Sequence, residues 1–431
     1  MKAVNGKFFF GGVHPKDAKA LTSGCPIEVM PSPTVVKVST LQSLGKPAVP
    51  VVEVGATVKE GTLIAKADGA ISSDVFASVC GQVTEIKDEL GAGGAMEKFI
   101  VITPDGKDEK DYLKPLTDPS AEEIKERVKD CGIVGLGGAG FPTAVKLAPK
   151  TAVDTLVING AECEPYLTRD HRLMLEKTDE VVRGARYLAK ALGGVSIVIG
   201  IESNKPDAIA AFEKYEDVKV VRLRKKYPMG GEKQLIYATL GRKVGLGKLP
   251  ADSGVIVNNV GTCFAVCEAV ELGKPLYEGV VTVSGKAVKH PKNLLVKVGT
   301  PVSEIIDYCG GEAVTPKKVI NGGPMTGTAL ANYDNYTHKT TSGVLLLDEK
   351  EAAAEEPTPC LNCGMCADVC PMHLMPMNTA FYSAAGDFET AQKLGNALSC
   401  IECGACEYIC PAKRPLIQAI RKTKAALRNN K

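Results

Sequence analysis

Hydrophobic and polar residues alternate in short runs between Val35 and Ile102, a spacing that is typical of β-strands. The runs are rich in valine, glycine and proline: VVKVST (35–40), AVPVVEVGATV (48–58), GTLIAKA (61–67) and GQVTEIK (81–87). Turn-forming glycines and prolines separate them. This pattern predicts a small all-β module, which we assign to residues 1–115.

The pattern changes after a Pro- and charge-rich linker. Residues 110–130, KDYLKPLTDPSAEEIKERVKD, end in a predicted helix that we expect Ser120 to cap. Four apolar, β-branched runs with helical segments between them follow: TLVING (155–160), VSIVIG (195–200), VKVVRL (218–223) and GVIVNN (254–259). Strands that alternate with helices are typical of an α/β domain with a mostly parallel sheet. We predict such a domain over residues 116–275.

A second β-rich segment begins at Gly279. Its sequence, GVVTVSGKAVKHPKNLLVKVGTPVSEIIDYCGG (279–311), predicts strands followed by a single helix, and we assign the module to residues 276–345. The acidic, Ala-rich stretch LLDEKEAAAEEPTP (346–359) is predicted to be a linker. The remaining domain, 360–431, is rich in cysteine and ends in a basic tail.

Composition narrows the function classes. The 431 residues suffice for several domains, and a net charge of +2 with 24% charged residues argues against a protein that binds nucleic acid. No stretch approaches the roughly 18 apolar residues of a membrane span, and no export signal is evident. We expect a cytoplasmic chain that meets a membrane only peripherally. Fifteen cysteines in a reducing compartment favour metal ligation over disulfides.

Eight of the cysteines form two copies of one motif, CLNCGMCADVC (360–370) and CIECGACEYIC (400–410), and each copy is followed by proline. This C-x2-C-x2-C-x3-C-P spacing is typical of [4Fe–4S] clusters, in which the fourth thiolate of each run binds the other cluster. Zinc sites and structural thiols are the alternatives, but zinc usually pairs two separated C-x2-C motifs. The predicted metal ligands are Cys360, Cys363, Cys366 and Cys410 for the first cluster, and Cys400, Cys403, Cys406 and Cys370 for the second.

A glycine-rich loop, GLGGAGFPTAVK (135–146), precedes a short predicted helix. Such loops let backbone N–H groups approach a phosphate, although many glycine-rich turns bind nothing. Three further loops, each placed after a predicted strand, favour a cofactor site: NGAECEP (159–165), YPMGGEKQL (227–235) and VNNVGTCFA (257–265).

These loops, together with GGVHP (11–15) and the two cysteine runs, closely resemble the RnfC family of the Rnf electron-transport complex along essentially the whole chain. Residues 125–275 are also similar to the NADH-oxidising flavoprotein subunit of complex I. The resemblance implies a multidomain α/β plus β protein with a Rossmann-like FMN/NADH-binding domain and a C-terminal helical two-cluster ferredoxin domain.

The two β modules have resemblances of their own. Residues 52–83 resemble a biotinyl/lipoyl-type barrel-sandwich hybrid, but the tip ADGAISSDV (67–75) lacks the lysine that carrier versions modify. A structural or docking role is therefore the better prediction for this domain. Residues 279–311 resemble a β-grasp module of the soluble-ligand-binding type.

The resemblance also implies site residues. Gly135, Gly137 and Gly138 would line the cofactor site, Lys146 would reach the flavin phosphate, and Phe141 would stack on the nicotinamide nucleotide. The other implied flavin and nucleotide contacts are Asn159, Glu162, Glu164, Gly231, Glu232, Asn258, Asn259 and Thr262. No catalytic acid or base is expected, because the flavin performs the chemistry.

The chain departs from the complex I branch at three positions. That branch has an arginine where this chain has Leu136, an aspartate at Ala161 and an acidic residue at Lys233. These changes keep open the hypothesis of an electron-carrying scaffold with an inactive nucleotide site. A cobalamin reductase of the propanediol-utilisation type is a second alternative, since it has a similar flavin and two-cluster layout.

The function implied first is electron exchange between two-electron and one-electron carriers. NADH delivers a hydride, whereas each cluster accepts one electron, and a flavin can do both. We therefore expect a peripheral subunit of a membrane-bound Rnf-type complex that couples electron transfer between NAD(H) and ferredoxin to ion translocation. Its expected cofactors are FMN and two [4Fe–4S] clusters. Its expected partners are the ferredoxin-like and integral-membrane subunits, with ferredoxin reached indirectly.

Two further features have simpler default predictions. Cys263 and Cys267 lie four residues apart and are predicted to pack in the core rather than to bind metal. The tail, residues 413–431, carries seven basic residues and no acidic one. A solvated helix is the default prediction for this tail, and attachment to anionic lipid or an acidic partner is the alternative.

Overall fold

A computed structural model describes residues 2–91, 93–352 and 356–429. Within them, the strands are β1 (Val4–Asn5), β2 (Ile27–Val29), β3 (Val36–Ser39), β4 (Val49–Pro50), β5 (Thr57–Val58), β6 (Leu63–Lys66), β7 (Val75–Phe76), β8 (Gly81–Leu90), β9 (Met96–Pro104), β10 (Thr155–Gly160), β11 (Ser196–Glu202), β12 (Val218–Leu223), β13 (Val255–Asn259), β14 (Glu278–Ser284), β15 (Lys292–Lys297), β16 (Lys318–Asn321), β17 (Thr328–Leu330) and β18 (Gly343–Leu347). The α-helices are α1 (Ala121–Asp130), α2 (Thr143–Lys146), α3 (Arg169–Glu176), α4 (Thr178–Ala191), α5 (Pro206–Phe212), α6 (Glu232–Leu240), α7 (Val260–Leu272), α8 (Val302–Tyr308), α9 (Met365–Asp368), α10 (Pro376–Ala384), α11 (Phe388–Gly395), α12 (Ala405–Ile409) and α13 (Leu416–Asn429).

The predicted α/β domain is built on a parallel sheet with the strand order β1-β12-β11-β10-β13. The β-branched runs identified in the sequence form its four long strands and are buried on both faces, as parallel strands usually are. The chain moves outward from β10 to β12 and then returns to place β13 on the other side of β10. This reversal creates a topological switch point at the carboxyl ends of β10 and β13.

Helices cover both faces of this sheet. Helices α1, α4, α5 and α7 pack with it into one apolar core, and α6 packs on the opposite face. Helix α1 begins at the predicted cap, because the Glu123 backbone N–H donates to Ser120 Oγ at 3.3 Å and the Ser120 N–H donates to the Glu123 carboxylate at 2.7 Å. The predicted cap is therefore confirmed.

The N-terminal β module consists of two small antiparallel sheets, β3-β9-β8-β5 and β4-β6-β7, which enclose a valine-rich core. Residues 1–30 differ from the predicted domain assignment. Strand β1 pairs with β12 of the parallel sheet, and β2 pairs with β15. Both are short strands that complete the exposed edge of a neighbouring sheet.

The second β-rich module forms a six-stranded mixed sheet with the order β17-β16-β18-β14-β15-β2, on which the single predicted helix, α8, packs. Strand β18 extends to Leu347, so the segment predicted as a linker starts within this sheet. Its next residues are also folded, since the Glu351 carboxylate accepts hydrogen bonds from the Tyr166 hydroxyl at 3.1 Å and from the Lys286 N–H at 2.9 Å. Residues 353–355 of the predicted linker lie outside the described residues.

The C-terminal part is helical, as predicted. Helices α9 and α12 lie within the two cysteine motifs, and α10, α11 and α13 pack together beside the second motif. In the described ranges, none of the helices is long and apolar enough to cross a membrane. Helix α13 buries Leu416, Ile417 and Ile420 and exposes basic residues on its other face. The last two residues of the basic tail lie outside the described ranges.

Candidate functional site

The switch point of the parallel sheet brings three of the predicted asparagines together. Asn159 lies near the carboxyl end of β10, and Asn258 and Asn259 end β13, which is paired to β10 in register. The Asn159 side-chain amide donates to Gly230 O at 2.9 Å. The Asn259 Oδ1 accepts from the Gly261 N–H at 2.8 Å and caps α7. Helices α6 and α7 both begin beside this edge, where their N-terminal dipoles favour an anionic group.

The glycine-rich loop lies against the same edge. The Gly135 N–H donates to Phe141 O at 2.9 Å, which closes the loop on itself. A Cβ atom on Gly137 would lie 2.9 Å from the Asn259 Cβ, so only glycine allows the backbone to approach so closely. Gly138 is exposed, and no protein atom lies within 4 Å of the place where its Cβ would stand. The loop therefore leaves an open cradle of backbone at the switch point.

The first turn of α7 supports this loop. The Leu136 N–H donates to Thr262 Oγ1 at 3.0 Å, and both residues are buried. Thr262, predicted as a cofactor contact, thus holds the loop backbone in this structure.

Lys146 supplies a cation at the same edge. Its ammonium donates to the Glu232 carboxylate at 2.7 Å and to Val257 O at 3.0 Å. Glu232 is the first residue of α6 and follows Gly231, which occupies the N-cap position. The fold thus gathers Lys146, Gly231 and Glu232, all predicted from the sequence, next to the glycine-rich loop.

Asn258 shows that the crevice suits a polar cofactor. Its side chain is 2% exposed, and neither Nδ2 nor Oδ1 has a hydrogen-bond partner among the described residues. Buried polar groups are almost always hydrogen-bonded, so these two atoms are available to a polar partner in the crevice. FMN fits, because it offers a phosphate, ribityl hydroxyl groups and a pyrimidine edge with donors and acceptors. The loops, Lys146 and the asparagines are the groups that would hold it.

Glu162 and Glu164, both predicted to contact the cofactor, bond to parts of the protein outside the crevice. The Glu162 carboxylate accepts from the Asp170 N–H at 2.7 Å at the start of α3 and lies 3.7 Å from Lys19 Nζ. The Glu164 carboxylate accepts from the Met325 N–H at 3.1 Å and from the Thr326 hydroxyl at 2.5 Å, both beyond β16. Burial raises the pKa of both carboxyl groups. The structure brings neither carboxylate into contact with the glycine-rich loop.

Sequence reasoning missed two residues that support the site. The buried Arg169 side chain donates to Leu136 O in the loop and to Thr341 O at 3.2 Å. Asp170 accepts from the Asn259 amide at 2.7 Å through its Oδ2 and so orients that side chain. No motif marks these residues, because their partners lie at least thirty residues away in sequence.

The three departures from the complex I branch also have structural roles. The Leu136 and Ala161 side chains are both buried in apolar cores. Lys233 Nζ donates to Gly245 O at 2.6 Å at the surface. These side chains serve packing and local hydrogen bonding here.

The cysteines of the second motif surround an apolar cavity. It is lined by Cys400, Cys403 and Cys406 together with Cys370 of the first motif. The chain thus brings the fourth thiol of one run to the first three of the other, as the spacing predicts. In the first motif, Cys360 and Cys363 are exposed.

Backbone N–H groups are aimed at the sulfurs in the same way in both motifs. The N–H groups of Asn362 and Glu402 donate to Cys360 Sγ at 3.4 Å and Cys400 Sγ at 3.3 Å. The fourth cysteines accept correspondingly, with Leu374 N at 3.3 Å from Cys370 Sγ and Arg414 N at 3.5 Å from Cys410 Sγ. Hydrogen bonds to sulfur help to set cluster potentials, so this repeated arrangement fits two like clusters.

Zinc fits these cysteines less well. Zn–S bonds of about 2.3 Å hold four thiolates roughly 3.8 Å apart. Among the residues that the structure describes, no three His, Cys, Asp or Glu side chains converge closely enough for a single metal ion. The exchange of the fourth thiol between the two runs, seen at Cys370, instead fits a pair of iron–sulfur clusters.

The cluster domain packs directly on the α/β domain through two segments quoted from the sequence, YPMGGEKQL (227–235) and GGVHP (11–15), for which no such contact was predicted. The Tyr227 hydroxyl donates to Cys403 O at 2.7 Å, and the Gln234 amide donates to Pro371 O at 3.1 Å. The GGVHP segment contributes as well, because the Gly12 N–H donates to Val369 O at 2.7 Å. The cavity of Cys370, Cys400, Cys403 and Cys406 therefore lies on the side of the cluster domain that packs against the domain with the candidate FMN site.

The comparisons with known proteins agree with this architecture. Four family models match: the RnfC barrel sandwich hybrid domain over residues 7–107, the Nuo51 FMN-binding domain over 128–268, the SLBB domain over 280–329 and the 4Fe-4S dicluster domain over 359–414. They confirm the predicted fold class and the predicted cofactors, FMN and two [4Fe–4S] clusters.

Relatives are similar along almost the whole chain. The RnfC counterpart in the proton-translocating ferredoxin:NAD(+) oxidoreductase complex of Clostridium ljungdahlii is 46% identical over 97% of this chain and 94% of its own length. The counterpart in the Na(+)-translocating complex of Acetobacterium woodii is 44% identical over 96% of each chain. The counterpart in the ion-translocating oxidoreductase complex of Rhodobacter capsulatus is 42% identical over 89% of this chain and 76% of its own. With this identity over nearly its full length and all four domains in place, the chain belongs to the RnfC family of Rnf-complex subunits.

Proposed function

We propose that this chain exchanges electrons with NAD(H) through FMN at the switch-point crevice and passes them singly to two [4Fe–4S] clusters within a ferredoxin:NAD(+) oxidoreductase complex. The observation that carries the proposal is a continuous contact between the two sites. Gly230 O accepts from Asn159 in the crevice, and Tyr227, three residues earlier, donates to Cys403 O. One loop therefore touches both cofactor sites.

The residues that hold FMN in this proposal are those gathered at the crevice. The backbone of the glycine-rich loop and the N-termini of α6 and α7 surround the phosphate, and Lys146 neutralises it. The free amide of Asn258 bonds to the cofactor, while Asn159 and Asn259 fix the surrounding loops. Bound FMN supplies the conversion between hydride and single-electron transfer.

The packing of the cluster domain implies an order for the clusters. Cys400, Cys403, Cys406 and Cys370 lie on the side that packs against the α/β domain, so the cluster that they would hold would be the first to receive electrons. The cluster held by Cys360, Cys363, Cys366 and Cys410 has two exposed ligands and faces the next protein. We place this chain at the cytoplasmic face of the membrane as a peripheral subunit, with the other subunits of the complex as partners.

Of the two alternative functions, the inactive scaffold and the cobalamin reductase, the scaffold can be tested by an experiment on this chain alone. The full chain is reconstituted anaerobically with iron, sulfide and FMN, and NADH is then added. We expect the visible flavin absorption to bleach, because a working nucleotide site transfers hydride to the bound flavin. Bound flavin that stays oxidised would favour the scaffold with an inactive nucleotide site.

A matched pair of aromatic variants tests the predicted nicotinamide contact. Phe141→Ala should slow the bleaching of the flavin by NADH and leave the iron content unchanged. Phe141 lies in the glycine-rich loop, where its carbonyl accepts from the Gly135 N–H. Phe381→Ala is the control, since that ring is 71% exposed on α10, away from the crevice. Equal bleaching rates in the two variants would remove Phe141 from the nucleotide site.

A further inference from the structure

A buried ammonium group lies where three parts of the protein meet. Lys339 is 3% exposed and precedes β18, the strand of the six-stranded sheet that comes last in the sequence. Its Nζ donates to Gly132 O at 2.8 Å in the α/β domain. It also donates to Asp74 O at 2.6 Å and Ser73 Oγ at 3.2 Å, both in the N-terminal β module. A lysine ammonium has three N–H donors, and here each one meets an acceptor.

Gly132 stands just before the glycine-rich loop, and its position is tightly determined. Its φ is +59°, and a Cβ there would lie 2.5 Å from Asp74 O and 2.8 Å from Lys339 Nζ. The Ser73 hydroxyl donates to the same Gly132 carbonyl at 3.0 Å. The start of the loop is therefore fixed to the tip of a hairpin in the β module.

The other end of the glycine-rich loop, at Gly140, contacts the same two parts of the protein: the N-terminal β module and the segment before β18. The Leu44 N–H of the β module donates to Gly140 O at 3.2 Å. A Cβ on Gly140 would lie 2.8 Å from Thr340 Cγ2, next to Lys339. The Lys339 N–H donates to Gln42 Oε1 at 2.8 Å and so joins the two supports.

The charge itself calls for an explanation. Burying an ammonium is unfavourable unless every donor is satisfied. Burial lowers the pKa of Lys339 to about 7, and the charge of the nearby Asp74 carboxylate opposes this shift. An apolar side chain of similar size would fill the space without this penalty. Only a flexible group with three donors reaches oxygens of two separate domains at once.

We propose that Lys339 is a positioning residue for the FMN site: its ammonium ties the start of the glycine-rich loop to the hairpin tip of the N-terminal β module, which thereby acts as a clamp on the cofactor loop. This inference rests on the proposed assignment of that loop to FMN. It also gives the hairpin tip a role, since Ser73 and Asp74 are buried at this contact rather than displayed as in a carrier domain.

The test is a fluorescence-quenching titration of the flavin-free full chain with FMN. Lys339→Met should raise the Kd for FMN about tenfold, because a charge-assisted hydrogen bond to the loop is lost. Ser73→Ala should raise the Kd for FMN by a smaller factor. This variant tests the clamp if Lys339→Met does not fold. Since both act on the Gly132 carbonyl, the effects in the double variant should be clearly less than additive.

Two further variants separate this inference from the function on which it rests. Lys274→Met removes another buried lysine, whose ammonium pairs with Glu268 and Glu278 instead of the loop carbonyl, and should lower the thermal midpoint without changing the Kd for FMN. Gly138→Val fills the open cradle and should abolish FMN binding.

The Kd values of these variants distinguish a failure of the clamp from a failure of the proposed function. A wild-type Kd in both Lys339→Met and Ser73→Ala, with FMN binding lost in Gly138→Val, overturns the clamp and leaves the proposed function standing. An equal rise in Kd for Lys274→Met also overturns the clamp, because general destabilisation would then explain the effect. Wild-type affinity in Gly138→Val removes the loop from the FMN site and the inference with it.

Discussion

Replacing Cys370 with alanine should remove the cluster that lies next to the α/β domain and with it about half of the iron in a fully reconstituted chain. Cys370 belongs to the first motif in sequence, but it lines the cavity of Cys400, Cys403 and Cys406. A cubane cluster that loses one of four thiolates loses both a ligand and its closed, apolar surroundings. Iron and sulfide analysis, with electron paramagnetic resonance of the reduced protein, measures the result.

The same variant reports on the order of electron flow. NADH should still bleach the flavin in Cys370→Ala, because the crevice is untouched, but the remaining cluster should no longer be reduced at the wild-type rate. Cys309→Ala is the matched control, since this buried thiol packs in the six-stranded sheet and contacts neither motif. If Cys370→Ala instead lost the signal of the first cluster, the proposed exchange of fourth ligands would be wrong.

Replacing Lys146 with alanine should weaken FMN binding by roughly 10- to 150-fold, the loss expected for one hydrogen bond to a charged group of about 1.5–3 kcal/mol. The Lys146 ammonium stands at the carboxyl edge of the sheet beside Glu232, and removing it leaves the phosphate and this carboxylate without a counter-charge. The Kd for FMN, measured by fluorescence quenching at two salt concentrations, checks both the magnitude and its electrostatic origin.

Lys150 provides the control for this measurement. It lies shortly after Lys146, beyond the end of α2, and is exposed. Lys150→Ala changes the net charge by the same amount and should leave the Kd for FMN unchanged. Equal effects of the two substitutions would show that Lys146 acts only through the overall charge, and the assignment of Lys146 to the phosphate would fail.

The cluster ligands could be predicted from local spacing, whereas the residues of the crevice were implied by the resemblance to the RnfC family. Eight thiols at fixed spacing specify cluster chemistry within two eleven-residue segments, and the glycine-rich loop carries its backbone requirement at Gly137. The asparagines stand at the ends of two β-branched runs. The paired strands β10 and β13 then necessarily bring those ends to one edge.

Other predictions depended on side-chain direction, which local sequence does not reveal. Glu162 has a left-handed φ of +46°, so the chain turns sharply there. As a result, the carboxylates of Glu162 and Glu164 reach α3 and the loop beyond β16 instead of the crevice. Their partners, Asp170 and Met325, come from different parts of the chain.

The sequence by itself determined the two-cluster chemistry, the β and α/β segments and the loops that follow the strands, because each depends on short-range spacing or strand periodicity. FMN was implied by the resemblance to the RnfC family. Only the tertiary structure decided which residues join the domains. Tyr227 meets Cys403 across 176 positions, and Lys339 meets Gly132 across 207. Contacts of this kind follow from how the sheets and helices pack against one another, and no local pattern of hydrophobic and polar residues encodes them.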